Sequence, residues 1–224
     1  MRLYNRLPMS HPLRLERPQL LTDLAFERIR KAIVEGDLRL GEQVSEIQLA
    51  QSMGISKTPV REALVRLKIQ GLVEIHPQRG TFVFQLEPVQ VTQLCRFRSM
   101  IEIAALREAY ATNRNVLIDE LAALVKAMEL AEAAGDVNQL SWLDMDFHHV
   151  FLTCCPNTYL RGAYDLIRYQ LIALRFRAPI DNGVESHQVL VDVLQRGKVD
   201  KACAMLHDHI HENEARYCAA CLVA

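Results

Sequence analysis

The chain lacks any apolar run that approaches the roughly 18 residues needed to cross a bilayer as a helix. Near the N-terminus, Pro8 and Pro12 interrupt the sequence before the apolar core of a signal peptide can form. Internal repeats and low-complexity tracts are also missing. We therefore expect a cytoplasmic globular protein with no membrane partner.

A disulfide framework is missing too, since six cysteines in 224 residues follow no scaffold pattern. Cys95 and Cys203 fall in helical patterns, where a thiol behaves as a small apolar group. Cys218 and Cys221 have the spacing of a metal or redox pair, but no second pair exists and their Ala-rich helical setting favours packing. We expect all six thiols to be reduced.

The net charge is only −1, but the two charge signs are unevenly distributed. Residues 1–84 hold 13 Lys and Arg against 9 Asp and Glu, which gives +4, whereas residues 85–224 hold 13 against 18, which gives −5. The two parts should therefore have different electrostatic partners.

The segment 44–83 predicts a helix-turn-helix followed by a β-hairpin. Ser45 and Gln48 have the spacing of a capping box for a first short helix, which Val44 would help to bury and Gly54 would end. Ser56 is a suitable N-cap for a second helix that extends to Gln70. Two strand-like runs, 72–76 and 81–84, flank a turn at 77–80 and form the predicted wing.

The second of these helices carries basic and hydroxyl side chains near its N-terminus, which suits a DNA major groove flanked by phosphates. The alternative is an ordinary solvated helix face, but the capping, the glycine turn and the basic wing all favour DNA binding. The residues predicted to serve the DNA interface are Ser45, Ser56, Lys57, Thr58, Arg61, Arg66, Gln78, Arg79 and Gly80.

The remainder of the first part completes a three-helix DNA-binding domain over residues 19–84. Residues 1–18 lack a hydrophobic period and are predicted to be a mobile arm. An amphipathic helix follows, with its cap near Thr22 or Asp23 and its end at Gly36, and a loop then spans 37–43.

After a linker at 85–88, residues 89–224 show helical periods and no convincing strand, so the fold class is mainly α with an N-terminal winged helix-turn-helix. The breaks between helices contain Gly, Pro or Asn. Six helices are predicted, at about 89–112, 115–134, 137–154, 158–177, 184–196 and 198–219.

Several polar residues of this second part lie on otherwise apolar helix faces. Asp144 and His148 share a face with Leu143 and Phe147, and their i, i+4 spacing lets both side chains converge. His187 and His209 lie on similar stripes of the last two helices. One buried histidine is usually a packed core residue, but three histidines and a carboxylate offer the ligands of a divalent transition metal.

Zinc fits this ligand set best, with nickel or manganese as alternatives. His149, His207 and His211 fall off the apolar stripes, so we assign them to solvent or ordinary packing. Arg98 and Glu102 share a face of the first helix of this domain. Arg98 either enters the same cavity, where it would pair with a carboxylate, or pairs with Glu102 at the surface.

These residues resemble the GntR transcription regulators, in particular the FadR-type group with an all-helical C-terminal domain. The resemblance covers nearly everything after residue 18. It is carried by the runs 54–64, 66–67, 71–73 and 79–83, by Arg98 with Glu102, by Asp144 with His148, by Asn157 with Leu160, and by His187, His209 and Ile210. The expected six helices favour the shorter, VanR-like branch.

The resemblance implies a ligand-controlled regulator that binds a double-stranded DNA operator as a homodimer, with an effector-binding and dimerisation domain at 89–224. It implies the same four metal ligands, and an effector site that includes Arg98, Glu102 and Asn157. The implied effector is a small carboxylate such as a hydroxy acid, a dicarboxylate or a sugar acid. Ile47 and Lys57 stand where the family often has Arg, so we expect different base contacts.

Two other functions fit parts of the pattern. The Asp/His cluster could belong to a metal-dependent hydrolytic enzyme, for which Glu102 is the one plausible acid or base in this pattern. Alternatively, the histidine pocket could hold an anion without a metal.

Overall fold

The computed structural model describes residues 20–178 and 183–222. In those ranges the chain forms helices α1 (Leu21–Glu35), α2 (Glu46–Met53), α3 (Lys57–Ile69), α4 (Pro88–Ala133), α5 (Val137–Thr153), α6 (Thr158–Asp165), α7 (Arg168–Arg177), α8 (Gly183–Gln195) and α9 (Val199–Leu222), and strands β1 (Gln43–Val44), β2 (Val73–His76) and β3 (Gly80–Val83). The prediction of a mainly helical protein with an N-terminal wing is confirmed. Among the described helices, none has the length and apolarity that crossing a bilayer requires.

The wing is a three-stranded antiparallel sheet in the order β1-β3-β2. Strand β1 is a correction to the prediction, which placed residues 37–43 in a loop and Val44 in the first short helix. Gln43 pairs with Phe82 and Val44 with Thr81, so Val44 is buried beneath the sheet instead. Ser45 caps α2 as predicted, since its hydroxyl accepts a hydrogen bond from the Gln48 amide at 3.4 Å.

Helix α1 ends at Gly36 as predicted, in a left-handed conformation with φ of 95°. Its start was predicted wrongly, because Leu20 is the N-cap residue and makes no side-chain cap. The predicted arm at 1–18 lies outside the described residues, as do positions 179–182 of the turn predicted before α8.

Two helix boundaries of the second domain also need correction. The predicted break at 113–115 is a kink within α4, where Asn113 has φ −133° and ψ 36° and its side-chain amide donates to the Cys154 carbonyl at 2.7 Å. The predicted helix 158–177 is instead two helices, α6 and α7, separated at Leu166 and Ile167. The two errors offset each other, so the described part of this domain contains six helices, as predicted.

Helix α4 is the centre of the second domain, because α5, α8 and α9 all pack against it. Helix α7 packs on α5 and α9, and it also contacts α1 of the DNA-binding domain. This arrangement directs the inner faces of α4, α5, α7, α8 and α9 towards one buried polar cluster.

Candidate metal centre and nucleic-acid interface

Three helices bring the predicted metal ligands together. Asp144 and His148 lie one turn apart on α5, His187 comes from α8, and His209 comes from α9. Each residue offers one ligand atom, and these four atoms lie within 4.8 Å of one another. His187 Nε2 is 3.4 Å from Asp144 Oδ1. The four residues are therefore placed to share one ion.

The three histidines assigned elsewhere lie outside this cluster. His207 and His211 stack on each other at the surface of α9, with ring centroids 4.1 Å apart. His149 is half-buried, with its Nε2 3.7 Å from an Asp165 carboxylate oxygen.

A buried acidic residue orients His148. Glu102 Oε2 lies 2.7 Å from His148 Nδ1, and Arg98 Nε donates to Glu102 Oε1 at 2.6 Å. All three side chains are buried. When Nδ1 carries the proton and donates a hydrogen bond to Glu102, Nε2 is left with a lone pair for a metal. The pair of Arg98 with Glu102 that one alternative predicted is therefore present, but it is buried and not at the surface.

Sequence reasoning missed Arg175, which is equally buried and donates from Nε to Asp144 Oδ2 at 2.9 Å. A signal was available, since Arg175 follows Leu171 by four residues and Ile172 by three on an apolar stripe of α7. The same search that found Asp144 would therefore have found this arginine.

Several buried polar atoms of the cluster have no hydrogen-bond partner within the described residues. Two of them, Asp144 Oδ1 and His148 Nε2, belong to the four proposed ligands. Buried polar atoms normally have a partner, and acceptors of this kind fit a cation. The donors Arg98 Nη2, Arg175 Nη1 and Tyr217 Oη are also without partners in that part of the chain. The residues present thus fit a bound divalent ion.

The electrostatics hold the proposed ligands in metal-binding forms. Burial alone would raise the pKa of Asp144, but Arg175 and the surrounding imidazoles lower it well below its ordinary value. Burial likewise opposes ionisation of Glu102, yet Arg98 and His148 lower its pKa to about 2. Burial, and then the neighbouring His148 and His187, lower the pKa of His209 well below 6.5. At neutral pH the carboxylates are charged and His209 is neutral, as metal binding requires.

A cavity of about 280 Å³ opens beside the three clustered histidines. Its other lining residues are Phe147, Ser186, Leu190, Met205, Leu206, Asp208 and Glu212. Two residues predicted for the effector, Arg98 and Glu102, lie behind His148 and are not among its lining residues. The third, Asn157, caps α6 by accepting hydrogen bonds from the Tyr159 and Leu160 amides, so the structure does not place it on the cavity wall.

The two cysteines near the end of α9, Cys218 and Cys221, do not contribute to this site. Cys221 is buried and Cys218 is half-buried, and burial raises the pKa of both thiols. All six cysteines lie in the part of the chain that the structure describes, and each is free there.

The start of α3 forms the exposed face predicted to meet DNA. Ser56 is its N-cap residue, and Lys57, Thr58 and Arg61 are exposed in its first turns. Arg61 is held in place by Glu46 of α2, since its Nη2 donates to Glu46 Oε2 at 2.9 Å. This exposed ion pair links the two helices of the motif.

The structure separates Arg66 from this face. Its guanidinium donates to Asp23 of α1 at 2.6 Å and lies 4.2 Å from the Phe26 ring centroid, so it binds α1 instead of pointing with Lys57. Gln78 and Arg79 are exposed in the turn between β2 and β3, whereas Gly80, also predicted in this turn, is the exposed first residue of β3. Gln78 adopts a left-handed φ of 62° there.

Family models match both parts of the chain. Residues 21–83 match the bacterial regulatory proteins of the gntR family, and residues 93–212 match the FCD domain. The chain belongs to the GntR family. It is a DNA-binding transcriptional regulator with an FCD domain for effector binding, and these families are not enzymes, so the hydrolytic alternative is rejected.

Relatives of this GntR regulator support that assignment. A protein of Paenarthrobacter nicotinovorans, named as a probable D-xylose utilization operon transcriptional repressor, is 31% identical over 182 residues, which are 80% of each chain. The transcriptional repressor RspR of Escherichia coli is 24% identical over 91% of this chain and 92% of its own length.

Solved structures share the fold. A GntR regulator from Rhodococcus superposes with a TM-score of 0.74 at 20% identity, covering 88% of this chain and 96% of that one. The Escherichia coli protein McbR/YncC also superposes with a TM-score of 0.74 at 20% identity, over 89% and 98% of the two chains.

Proposed function

We propose that this GntR regulator binds a pseudo-palindromic operator as a homodimer in the bacterial cytoplasm, and that a metal-assisted pocket for a small carboxylate controls this binding. The observation that carries the proposal is the convergence of Asp144, His148, His187 and His209 within 4.8 Å beside a cavity. A one-carboxylate, three-imidazole set favours zinc, with nickel or manganese as the alternatives.

The charges around the cluster favour an anionic effector. Arg98 is neutralised by Glu102 and Arg175 by Asp144, so these two buried pairs carry no net charge. A bound divalent ion would add two positive charges and an open coordination position for a carboxylate oxygen. Asp208 and Glu212 line the cavity too, but both are exposed to solvent that screens their charge. The cavity volume suits a molecule of a few carbon atoms.

At the DNA, the exposed Lys57, Thr58 and Arg61 would enter the major groove while Gln78, Arg79 and Gly80 of the wing reach a flanking groove. Lys57 offers a single ammonium group, so it cannot make the planar bidentate contact to guanine that Arg makes. Ser45 and Ser56, each the N-cap residue of its helix, would meet phosphates.

A homodimer is supported by exposed apolar side chains along one side of α4. Phe97 and Met100 are 38% and 65% exposed, and Ala104 follows at helical spacing. A second copy of the chain would bury this stripe and set the distance between two recognition helices.

Metal analysis of protein purified without a histidine tag tests the metal site. We expect about one ion per chain in the wild type, and loss of that ion in His187→Ala. The matched control is His207→Ala, because His207 is exposed on α9 and lies outside the cluster. Absence of metal from the wild type would leave a metal-free anion pocket as the better description.

A thermal-shift screen of small carboxylates, repeated with a chelator, tests the effector class. A ligand that binds the folded state raises the melting temperature by mass action. D-xylose and D-xylonate form a useful pair, because one relative is named for D-xylose utilization. Of the two molecules, only D-xylonate carries a carboxylate. We expect only the acid to stabilise the protein, and only with metal present.

A further inference from the structure

Helix α7 touches both the polar cluster and the DNA-binding domain. We infer that α7 transmits the state of the cluster to that domain, and that Arg177 is the positioning residue that holds α1 to it. The inference rests on the proposed function, because it concerns how an occupied site would reach the DNA-binding face.

Arg177 binds the C-terminal end of α1. Its Nη2 donates to the carbonyls of Ile33 at 2.9 Å and Leu38 at 3.0 Å, and its Nη1 donates to Val34 at 3.2 Å. The last carbonyls of a helix have no partner within the helix, and a cation is favourable beside them. One side chain of the effector domain therefore supplies donors that α1 cannot supply itself.

Arg175 lies two residues before Arg177, so both occur within one turn of the same helix. Arg175 is bonded to Asp144 of the cluster. Helix α5 makes a parallel connection, since Trp142 precedes Asp144 by two residues and its indole donates to Glu35 in the last turn of α1 at 3.3 Å. The buried pair between α5 and α7 thus stands directly behind the surface that supports α1.

The other end of α7 contacts α1 and the connection between α3 and the wing. Gln170 Nε2 donates to the carbonyl of Gly71, which connects α3 to β2, at 2.9 Å. The Tyr169 ring lies 4.2 Å from the Arg30 guanidinium of α1. Helix α7, which has ten residues, therefore contacts α1 at two places and the connection between α3 and β2 at a third.

A coupling route follows from these contacts. When Asp144 shares its carboxylate with a metal, its interaction with Arg175 changes, and α7 shifts relative to α5. Because a packed helix moves as a unit, Arg177 carries that shift to the end of α1.

Hydrogen exchange of the full-length protein, with and without Zn²⁺, tests this route. In the wild type, Zn²⁺ should change the exchange rate of peptides covering residues 28–38 by at least about fivefold, the lower end of typical coupling between sites. Arg177→Met should abolish that change and still bind Zn²⁺ stoichiometrically. If Arg177→Met does not fold, Arg177→Lys keeps the charge but loses the planar fork of donors.

Arg114→Met is the matched control. Arg114 Nη2 also donates to a carbonyl at a helix end, that of Gln195 at 3.0 Å, but within the effector domain. It should retain the full Zn²⁺ response in residues 28–38. A response that persists in Arg177→Met, or stoichiometric Zn²⁺ binding without any response in the wild type, would overturn the inference.

A metal-free comparison separates this inference from the proposed function. Asp144→Asn weakens the pair with Arg175 whether or not any metal binds. We expect it to alter exchange in residues 28–38 in the wild-type background and to have no such effect when combined with Arg177→Met. Equal effects in both backgrounds would refute the coupling through Arg177, whereas absence of Zn²⁺ binding alone would refute only the metal site.

Discussion

Two basic residues of α3 have different roles although they share a helix. Arg66 is tied to Asp23 and Phe26 of α1, whereas Lys57 is exposed on the face predicted to meet DNA. We expect Arg66→Met to lower the free energy of unfolding by about 1 kcal/mol, because the partly exposed ion pair and the cation–π contact each contribute modestly.

Lys57→Met, unlike Arg66→Met, should leave stability unchanged and weaken DNA binding. Its melting temperature should match the wild type, while the salt dependence of DNA binding decreases by about one phosphate contact. Thermal denaturation and DNA titrations at several salt concentrations measure both quantities. A larger loss of DNA affinity in Arg66→Met with an unchanged melting temperature would contradict the assignment.

Glu102 gives the metal-free protein a specific acid sensitivity. Its pKa is about 2 in the folded protein and near 4.5 when unfolded, so the unfolded state binds the proton first as pH falls. The stability contributed by this carboxylate is therefore present above about pH 4.5 and is lost between pH 4.5 and 2.

Chemical denaturation of metal-free protein across that pH range provides the test. As pH falls through this interval, the free energy of unfolding of the wild type should decrease by up to about 3 kcal/mol more than that of Glu102→Gln. The quantity to compare is the slope of the unfolding free energy against pH. The absolute stabilities differ in any case, because the variant also breaks the buried contacts to Arg98 and His148. Equal slopes would show that Glu102 is not held ionised.

At the level of single residues, helical spacing was enough to predict the four proposed metal ligands, although Arg175 was missed. Asp144 and His148 were found because a carboxylate and an imidazole interrupt an apolar face. The contact of Arg66 with Asp23 could not be predicted, because its partner on α1 is 43 positions away in the chain and no local pattern encodes that contact. Asn157 has a local role as the cap of α6, and its part in the effector site stays a prediction.

At the level of helices, Asn113 shows why a predicted break became a kink. Asn stops many helices, but here its side chain binds the Cys154 carbonyl at the end of α5 and the chain continues as α4. We expect Asn113→Ala to lower the melting temperature, with a loss of about 1 kcal/mol in stability. Asn115→Ala is the matched control, because Asn115 is exposed and should have no measurable effect.

Helix and strand boundaries that depend on distant contacts could not be predicted from sequence. Strand β1 exists because Gln43 and Val44 pair with β3, nearly 40 residues later. The separation of α6 from α7 lacks any Gly or Pro and lies at Leu166 and Ile167, so no helix-breaking signal marks it. By contrast, Gly36 and Gly54 end helices in left-handed conformations and were correctly identified.

At the level of the whole molecule, the charge distribution agrees with two functions in one chain. Residues 1–84 carry the positive balance and residues 85–224 the negative balance, so the helical domain should contribute little to DNA affinity. Its proposed contribution is to control when the DNA-binding domain binds DNA. In the inference proposed above, the contacts of α7 with both domains are the route by which the cluster would alter the position of α1.

The most direct test of this account is the DNA affinity of the metal-loaded protein with and without the carboxylate that gives the largest thermal shift. The duplex would be selected by the wild type from a random pool. We predict a change in Kd of at least about fivefold in the wild type and none in His187→Ala. Equal affinities in the wild type, despite stoichiometric metal and saturating carboxylate, would contradict the claim that the buried cluster controls DNA binding.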